Sequence, residues 1–447
     1  MRKPLAIVLF AVTAGLLISC NGVKHEGWII AVELLNGKES PEGARLVMFD
    51  PDRPEKAGTV LTESFSSAAA PSLSHEGRYL YFQGKKQPEE PWQIWVMDLR
   101  NGKARQVVRL EENCTHPASL PDGSVVFARE GFLRGKEVLN LWKCGMDGCC
   151  LTQLTHHPGR NTLASVLREG RILYSSRQVY PGTGEPQLMI MRPDGTKSEL
   201  YTPGGEGVVP RSGGKDSPDG YIYFTGKGDR LCRAKHKRPL HTFEILTEDR
   251  DGRYLSVFPR HDSTLLVSYL PASGELPGIY RLDTETATPE PLITGERPLV
   301  DPLRITAIDP RPKKLPSPVD PGNPTALLMT QNINHSMLPV HDGIAGDSVA
   351  DRVRITTLNG EWELVEAKDD GSVYVKMNAD TPFRLEALNP QGEVVRGPSD
   401  WIYLRPNERR ACTGCHADPE LAPRNYQPHA VKEEPVLLTS LAKGNHL

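Results

Sequence analysis

Short apolar runs that follow tight polar turns recur through the first two thirds of the chain. In four of these turns a glycine stands just before the run, at Gly77, Gly123, Gly170 and Gly220, with spacings of 46, 47 and 50 residues. A second set of apolar runs keeps a constant phase with the first, at 94–97, 141–144, 188–191 and 278–282. An Asp-Gly pair supplies the positive φ angles that a tight hairpin needs. The pattern therefore predicts repeated units of antiparallel strands joined by hairpins.

A unit of four strands in about 40–50 residues is typical of a β-propeller blade. Before the first of the four glycines the chain has three predicted strands without an innermost partner, at 28–32, 45–49 and 59–61. The run 303–308 follows the last complete unit and is expected to supply that innermost strand, so that the ring closes without a free edge. We therefore predict an all-β protein that begins with a six-bladed β-propeller. A seven-bladed ring is the alternative if 326–329 starts another blade.

The hairpin at 217–220 and its repeats resemble those of TolB-type propellers, a likeness that indicates a scaffold and says little about function. After the ring, residues 309–324 contain six prolines in sixteen positions, which predicts a stiff, extended connector. Beyond the connector, apolar and polar residues alternate and predict a small β-sandwich of about five to seven strands. The predicted strands include 353–355, 362–365, 373–377, 383–388 and 401–404.

The first twenty residues have the features of an export signal. Arg2 and Lys3 precede an apolar run at 5–18, and the run ends in Leu17-Ile18-Ser19-Cys20. This ending resembles the bacterial lipobox, which implies that Cys20 is diacylated and becomes the first residue of the mature protein; an ordinary signal peptide is the alternative. Asn21 stands where an aspartate would favour retention in the inner membrane, so the resemblance implies the outer membrane. The predicted location is the periplasmic face of the bacterial cell envelope, with membrane contact through the lipid anchor only.

The predicted divisions of the chain follow from these features: a signal peptide over 1–19, the propeller over 20–308, the connector over 309–324, the sandwich over 325–430 and a polar tail over 431–447. Composition changes this picture little. The 447 residues carry a net charge of −3, so the basic surface that nucleic acid binding requires is not expected. The 40 glycines and 39 prolines agree with many turns between short strands.

The motif Cys412-Thr413-Gly414-Cys415-His416 has the spacing of a c-type haem attachment site. Two thiols at this separation reach the two vinyl groups of one porphyrin, and the adjacent histidine can ligate the iron. A zinc site usually needs a second ligand pair, and a dithiol oxidoreductase needs a βαβ context; the C-terminal region has neither. One covalent haem c, with His416 as an iron ligand, is therefore predicted, while zinc or calcium is a less favoured cofactor.

Several side chains near the motif are candidates for further roles at the haem. A second iron ligand is expected from His429 or Tyr426, and the same domain also contains His335, Met337, His341 and Met377. Arg409 and Arg410 precede the motif and are candidates to pair with the haem propionates. An empty sixth iron position suits small-molecule redox chemistry and a filled one suits electron transfer, and the sequence leaves both open.

The remaining cysteines are Cys114, Cys144, Cys149, Cys150 and Cys232. Cys144 and Cys149 flank one hairpin turn, so a disulfide between them is predicted. A zinc site built from Cys144, Cys149, Cys150, His156 and His157 is the alternative. An odd number of cysteines leaves at least one free thiol or an intermolecular bond.

Residues 401–416, together with 370–376 and 379–382, resemble the haem-binding middle domain of hydrazine synthase alpha subunit-like proteins. That family places a six-bladed propeller before this domain, so the likeness extends over about 27–425. The family enzyme has a second c-type haem, whereas this sequence has one CxxCH motif. The resemblance also implies that, in the family enzyme, a tyrosine a few residues past the motif ligates the iron and the motif histidine turns toward a zinc. Here the position four past His416 is Glu420, and the first tyrosine is Tyr426.

Three functions are consistent with these features. The preferred hypothesis is an exported mono-haem cytochrome that transfers electrons to a redox partner protein docked on the propeller. The second is a haem enzyme similar to the hydrazine synthase alpha subunit, acting on small nitrogen or oxygen species. The third is a protein-binding propeller in which the haem is structural.

Overall fold

The computed structural model is an all-β protein, with three 3-10 helices among the residues that it describes. These residues are 24–35, 40–203, 209–247, 252–260, 263–272, 274–308, 312–337, 340–341, 349–415, 417–418 and 420–438. Within them, no helix is long and apolar enough to cross a membrane.

Consecutive groups of antiparallel strands form the blades of a propeller. The first three blades contain β1 (Ile29–Glu33), β2 (Arg45–Phe49) and β3 (Thr59–Val60); β4 (Ser67–Leu73), β5 (Tyr79–Lys85), β6 (Gln93–Asp98) and β7 (Lys103–Gln106); and β8 (Cys114–Ser119), β9 (Val125–Leu133), β10 (Lys136–Cys144) and β11 (Thr152–Gln153). The next three contain β12 (Gly159–Val166), β13 (Ile172–Gln178), β14 (Gln187–Met191) and β15 (Glu199–Leu200); β16 (Lys215–Asp216), β17 (Tyr221–Thr225), β18 (Leu231–Lys235) and β19 (Glu244–Ile245); and β20 (Arg253–Pro259), β21 (Thr264–Leu270), β22 (Gly278–Asp283) and β23 (Pro289–Thr294). Lys227–Asp229 and Pro239–His241 are 3-10 turns of the fifth blade.

The ring closes through a strand from its C-terminal end. β24 (Leu299–Arg304) pairs antiparallel with β1 and completes the first four-stranded sheet, in the order β24-β1-β2-β3. The closing strand was expected at 303–308 and lies a few residues earlier. Residues 326–329, the basis of the seven-bladed alternative, belong to a strand of the second domain. The described strands up to Arg304 thus form six four-stranded units, two of which are joined by one parallel bridge between Leu139 and Arg160.

The glycine spacing in the sequence corresponds to the hairpins between the first two strands of successive blades. Gly77, Gly123, Gly170 and Gly220 have φ angles of 71°, 84°, 95° and 87°, which a residue with a side chain adopts only with strain. Between neighbouring blades, large apolar side chains interleave; Tyr81 of the second blade, for example, packs with Val125 and Phe127 of the third. The hairpins therefore fix the strand order, and apolar burial between blades holds the ring together.

The second domain is a sandwich of two four-stranded sheets. Its strands are β25 (Thr325–Asn332), β26 (Arg352–Thr357), β27 (Trp362–Glu366), β28 (Val373–Asn378), β29 (Phe383–Leu388), β30 (Val394–Arg396), β31 (Arg409–Gly414) and β32 (Val436–Leu438). One sheet has the order β31-β25-β28-β32 and the other β27-β26-β29-β30. The core between them includes Val353, Ile355, Val375 and Phe383.

Two predictions about this domain are wrong. Residues 401–404 do not form a strand of the sandwich, because they make only an isolated bridge, Phe383 to Ile402, and instead contact the propeller. The chain after 430 is not simply a polar tail, because Val436–Leu438 pairs in parallel with β28 and Leu438 is fully buried in the core. A 3-10 turn at His429–Lys432 leads into this last strand.

The described part of the connector, 312–324, contains no strand and lies against the propeller. The Lys313 amide donates a hydrogen bond of 3.1 Å to the Arg168 carbonyl in the fourth blade. A Cβ atom at Gly170 would come within 2.1 Å of the Lys313 carbonyl oxygen. The absence of a side chain at Gly170 therefore allows the connector to approach this hairpin.

Candidate functional site

The CxxCH motif lies at the end of β31, an edge strand of the sandwich. This strand pairs in parallel with β25, so that Cys412 is opposite Thr330 and Gly414 is opposite Asn332. A Cβ atom at Gly414 would come within 2.0 Å of the His335 carbonyl oxygen, so only glycine fits at this position of the motif. The backbone of the motif is thereby held at a fixed position beside β25 and the turn that follows it.

Both motif thiols are half-buried and free, and both pack against the apolar core of the sandwich. Burial raises the pKa of Cys415 to about 11 and also raises the pKa of Cys412, so both groups are protonated at neutral pH. The gap beside Cys415, between the two sheets, measures only about 10 Å³. A porphyrin therefore has no room inside the sandwich and would lie outside it, against the motif.

The donor set fits the attachment of one haem. Two protonated thiols, spaced by two residues at the end of one strand, are the groups whose S–H bonds add to the two vinyl groups of a porphyrin. The backbone carbonyl and the Cβ atom of His335 lie against Gly414 of the motif, and the residue is half-buried. His416, the predicted iron ligand, and Cys20, the predicted lipidation site, both lie outside the described residues.

The two candidates for a second iron ligand lie on the segment that returns to the sheet after the motif. The Tyr426 hydroxyl donates a hydrogen bond of 2.9 Å to the Gln331 carbonyl, one residue after the strand partner of Cys412. The backbone amide of His429 donates a hydrogen bond of 2.8 Å to the Asp370 carboxylate, and the His429 side chain is exposed. The Tyr426 hydroxyl is thus held against β25, the strand beside the motif strand, and His429 lies at the Asp370 turn.

The other histidines and methionines of the domain have different surroundings. Met377 is buried in the core and Met337 is exposed. The His341 ring lies 2.6 Å from the Gly397 carbonyl oxygen, at the other sheet. His335 is therefore the candidate that the described structure brings into contact with the motif itself.

The two arginines before the motif have separate environments. Arg410 donates hydrogen bonds of 2.7 and 3.0 Å to the Glu408 carboxylate and one of 3.1 Å to the Ser198 carbonyl of the fourth blade. Arg409 is exposed. Of the pair proposed to bind haem propionates, Arg410 is already paired and Arg409 has a guanidinium directed to the surface.

Residues 401–410, which lead into the motif, attach the sandwich to the propeller through buried polar groups. The buried Tyr403 ring stacks on His157 at 5.6 Å and its hydroxyl donates to the Gly195 carbonyl at 3.1 Å. The guanidinium of buried Arg405 bonds to the Asp380 carboxylate at 2.7 Å and also contacts the His156 ring. We call Asp380, Tyr403, Arg405, Glu408 and Arg410 the interdomain cluster.

Every member of the interdomain cluster has a bonded partner. Arg405 also donates to the Asp194 carbonyl at 3.2 Å, and buried Glu408 accepts hydrogen bonds from the backbone amides of Lys197 and Arg405 at 3.0 and 2.8 Å. The cluster thus satisfies charge that would otherwise be costly to bury. Its function is to hold the motif strand at a fixed place on the fourth blade.

A second contact between the domains lies just after the motif and was not predicted. The Nε2 atom of His241, from the fifth blade, lies 2.6 Å from an Asp418 carboxylate oxygen and 3.8 Å from one of Glu420. One ligand atom from each residue lies within 4.8 Å of the others, so these three side chains could hold a metal ion. In the sequence, Asp418 and Glu420 follow the motif closely, but nothing local marks His241 as their partner.

The predicted disulfide between Cys144 and Cys149 is wrong for this structure, because both are free thiols. Cys144 is buried in the core between the second and third blades, whereas Cys149 is exposed on the turn. The alternative zinc site is also dispersed: His156 and His157 are buried against Tyr403. Cys114 and Cys232 are buried free thiols as well.

Residues 334–417, which include the motif strand, match the family described as the hydrazine synthase alpha subunit middle domain. The chain is similar to the alpha subunit of hydrazine synthase. The hydrazine synthase subunit alpha of Kuenenia stuttgartiensis is 22% identical over 513 residues, which cover 84% of this chain and 63% of that protein. The resemblance drawn from 401–416 is thereby confirmed, although the chain spans less than two thirds of this relative's length.

One solved structure supports the fold. Hydrazine synthase of Kuenenia stuttgartiensis matches with a TM-score of 0.78 and 19% identity, over 91% of this chain and 71% of that one. TolB from Acinetobacter baumannii matches with a TM-score of 0.47 and 17% identity, over 62% of this chain and 66% of that one. The prediction of a propeller followed by a hydrazine synthase alpha-type middle domain is confirmed.

Proposed function

We propose that this chain is an exported c-type haem protein that carries one haem on Cys412 and Cys415 and transfers electrons to a redox partner protein. A haem attached in this way supplies a one-electron redox couple. The observation that carries the proposal is the placement of two half-buried, protonated thiols at the end of one strand, beside His335. The similarity to a hydrazine synthase alpha subunit supports a haem-related cofactor.

The protein's own residues would position such a haem without enclosing it. The motif strand is fixed to β25 on one side and to the fourth blade by the interdomain cluster. Exposed Arg409 is available to a propionate, and the propeller provides a broad surface on which a partner could dock. A fixed haem at a domain edge suits electron transfer, because the donor and acceptor must approach closely without large rearrangement.

The decisive experiment is to export the protein in a bacterial host that attaches c-type haem and to measure covalent haem on the denatured polypeptide. We expect one haem per chain, lost when Cys412 and Cys415 are both changed to alanine. The matched control changes Cys149 and Cys150, an adjacent pair of exposed thiols, and should retain the haem. The proposal would be contradicted if the wild-type polypeptide carried no covalent haem under conditions in which a control cytochrome receives its haem.

A second candidate function is a redox enzyme acting on a small nitrogen or oxygen species, and the similarity to hydrazine synthase favours it. The spectrum of the exported protein separates the two candidates. A sharp low-spin α-band after reduction indicates that both axial positions are filled and supports electron transfer. A high-spin spectrum that changes on addition of carbon monoxide indicates an open position and supports the enzyme. The His335→Ala variant tests whether His335 contributes to the low-spin state.

We also propose that Cys20 is lipidated and that the protein is anchored in the bacterial cell envelope, on the periplasmic face, in the outer membrane. The support is the charged start, the apolar run and the lipobox-like ending of the first twenty residues. The Cys20→Ala variant should move from the membrane fraction to the soluble periplasmic fraction. Equal membrane fractions for the two proteins would contradict lipidation.

A further inference from the structure

The innermost strands of all six blades surround a cavity of about 240 Å³ on the axis of the propeller. The cavity is far from the chemistry of the CxxCH motif, since no residue of the sandwich contributes to its wall. Ile308 and Pro312, from the start of the connector, also line it. The Ile308 amide bonds to the His75 carbonyl of the second blade at 2.8 Å, and Lys313 reaches the fourth blade, so the connector forms part of this wall.

Among the ionisable residues that line the cavity, three come from alternate blades; the lining also includes His75, Arg168, Asp216, Arg260 and Arg304. His116 belongs to the third blade, Lys215 to the fifth and Asp301 to the first. His116 and Asp301 have φ angles of 52° and 50° and lie at β-bulges, where the strand register shifts. Bulges redirect side chains out of the regular alternation of a strand. The fold therefore places these side chains toward the axis at a cost in backbone strain.

The charges of Lys215 and Asp301 act on each other across the cavity, but the two groups do not form an ion pair. Desolvation in the cavity lowers the pKa of Lys215 and raises the pKa of Asp301, whose carboxylate also accepts a hydrogen bond from the Ser256 side chain. Among the described residues, no hydrogen-bond partner of the Lys215 ammonium is found. By contrast, both oxygens of the neighbouring Asp216 carboxylate have partners: one lies 2.6 Å from the His236 Nε2 atom, and the other accepts a hydrogen bond of 2.5 Å from the Arg168 backbone amide.

The His116 side chain is uncharged at neutral pH. Burial and the nearby Lys215 lower its pKa to about 4, and its Nδ1 atom lies 2.9 Å from the Thr162 hydroxyl. The rest of the lining is largely apolar, with Pro71, Leu163, Val257 and Pro302 among its members. The lining thus presents the Lys215 ammonium and the Asp301 carboxylate from alternate blades beside apolar side chains, with Arg168, Arg260 and Arg304 also part of the wall.

We propose that the central cavity of the propeller binds a small zwitterion with an apolar body, of the size and kind of a free aliphatic amino acid. Its carboxylate pairs with the Lys215 ammonium and its ammonium pairs with the Asp301 carboxylate. Its apolar part lies against the proline and leucine side chains of the wall. A volume of about 240 Å³ is near the lower end of ordinary ligand pockets, which suits a molecule of this size.

This inference does not depend on the proposed haem and is tested by calorimetry on the full chain. The probe is L-leucine, with two analogues that each lack one of its charges: 4-methylpentanoate, without the amino group, and 3-methylbutylamine, without the carboxylate. We expect saturable binding of L-leucine and at least tenfold weaker binding of each analogue. Lys215→Met and Asp301→Asn should each weaken L-leucine binding at least tenfold as well.

The matched controls are Lys237→Met, an exposed lysine of the same blade as Lys215, and Asp52→Asn, an exposed aspartate of the same blade as Asp301. Both controls should bind L-leucine like the wild type. Thermal unfolding of every variant, followed with and without the probe, separates a lost site from a lost fold.

Three results would overturn the inference. No saturable binding of L-leucine to a folded wild-type chain would remove the site. Equal binding of 4-methylpentanoate, unaffected by Asp301→Asn, would make it a simple anion site. Unchanged L-leucine binding by Lys215→Met and Asp301→Asn would place the ligand outside the cavity.

Discussion

The interdomain cluster and the central cavity both contain charged side chains, but these are partnered in opposite ways. In the cluster, Arg405 has bonded partners on both sides of the domain contact: Asp380 at 2.7 Å and the Asp194 carbonyl at 3.2 Å. In the cavity, Lys215 and Asp301 form no ion pair, although their charges act on each other. The same protein thus contains one group of charges whose partners are supplied by the chain and one cation for which no such partner is found among the described residues.

The difference teaches how to separate a structural polar group from a candidate ligand site. A buried charge with all of its partners supplied by the chain has nothing left to offer a ligand. A buried charge without a partner costs free energy that a complementary ligand can recover. The cluster therefore explains how the motif strand is held, and the cavity suggests what the propeller binds.

The largest expected effect comes from removing the central arginine of the cluster. Arg405→Met should reduce the free energy of unfolding by about 3–5 kcal/mol, because the half-buried Asp380 carboxylate and the Asp194 carbonyl would lose the guanidinium that donates to them. The measurement is urea denaturation followed by far-ultraviolet circular dichroism and by tryptophan fluorescence. The indole N–H of Trp401 donates a hydrogen bond of 2.8 Å to the Tyr180 carbonyl of the propeller. The fluorescence of Trp401 therefore reports separation of the two domains at this contact.

The matched control is Arg409→Met, four residues away on the exposed side of the motif strand. This change should alter the free energy of unfolding by less than about 0.5 kcal/mol, as surface substitutions usually do. Equal effects of the two variants would show that the cluster is not what holds the domains together.

A smaller effect is expected from pH, through the histidine that stacks on Tyr403. Burial lowers the pKa of His157 to about 4 from an ordinary value of 6.5, so the unfolded chain binds a proton that the folded chain does not in this interval. Stability is therefore retained above pH 6.5 and falls as the pH drops toward 4, by up to about 3 kcal/mol from this residue.

The test compares urea denaturation of the wild type and His157→Gln between about pH 7 and about pH 4. The pH-dependent loss should be smaller in the variant but not abolished, because buried His116 also has its pKa lowered to about 4 and remains. Parallel pH profiles for the two proteins would indicate that His157 is already protonated in the folded state.

The parts of the fold that were predicted from the sequence depend on local signals. The regular spacing of Gly77, Gly123, Gly170 and Gly220 marked the hairpins, because each position needs a positive φ. The Cys412–Cys415 spacing marked the candidate haem site, because the chemistry itself fixes that spacing. The closing strand was predicted with a shift of a few residues, as expected for a boundary without a turn signal.

The parts that were not predicted depend on contacts between distant segments. His156 and Arg405 are 249 positions apart, and no local pattern relates them. His116, Lys215 and Asp301 meet at the axis only because three blades present bulges or short strands there. The same reason explains why 401–404 was assigned to a strand of the sandwich: its alternation fits a strand, but it makes only one isolated bridge there, while Trp401 and Tyr403 bond to the propeller.

The smallest expected effect is at the cavity, and its sign distinguishes the two kinds of buried charge. Lys215→Met removes a half-buried ammonium for which no hydrogen-bond partner is found in the described part of the chain, so the free energy of unfolding without ligand should stay within about 0.5 kcal/mol of the wild type or rise. Arg405→Met removes a comparable charge from a complete set of partners and should be strongly destabilising. If both variants lose several kcal/mol under the same denaturation conditions, then Lys215 is paired in the folded protein and the cavity is a structural site like the cluster.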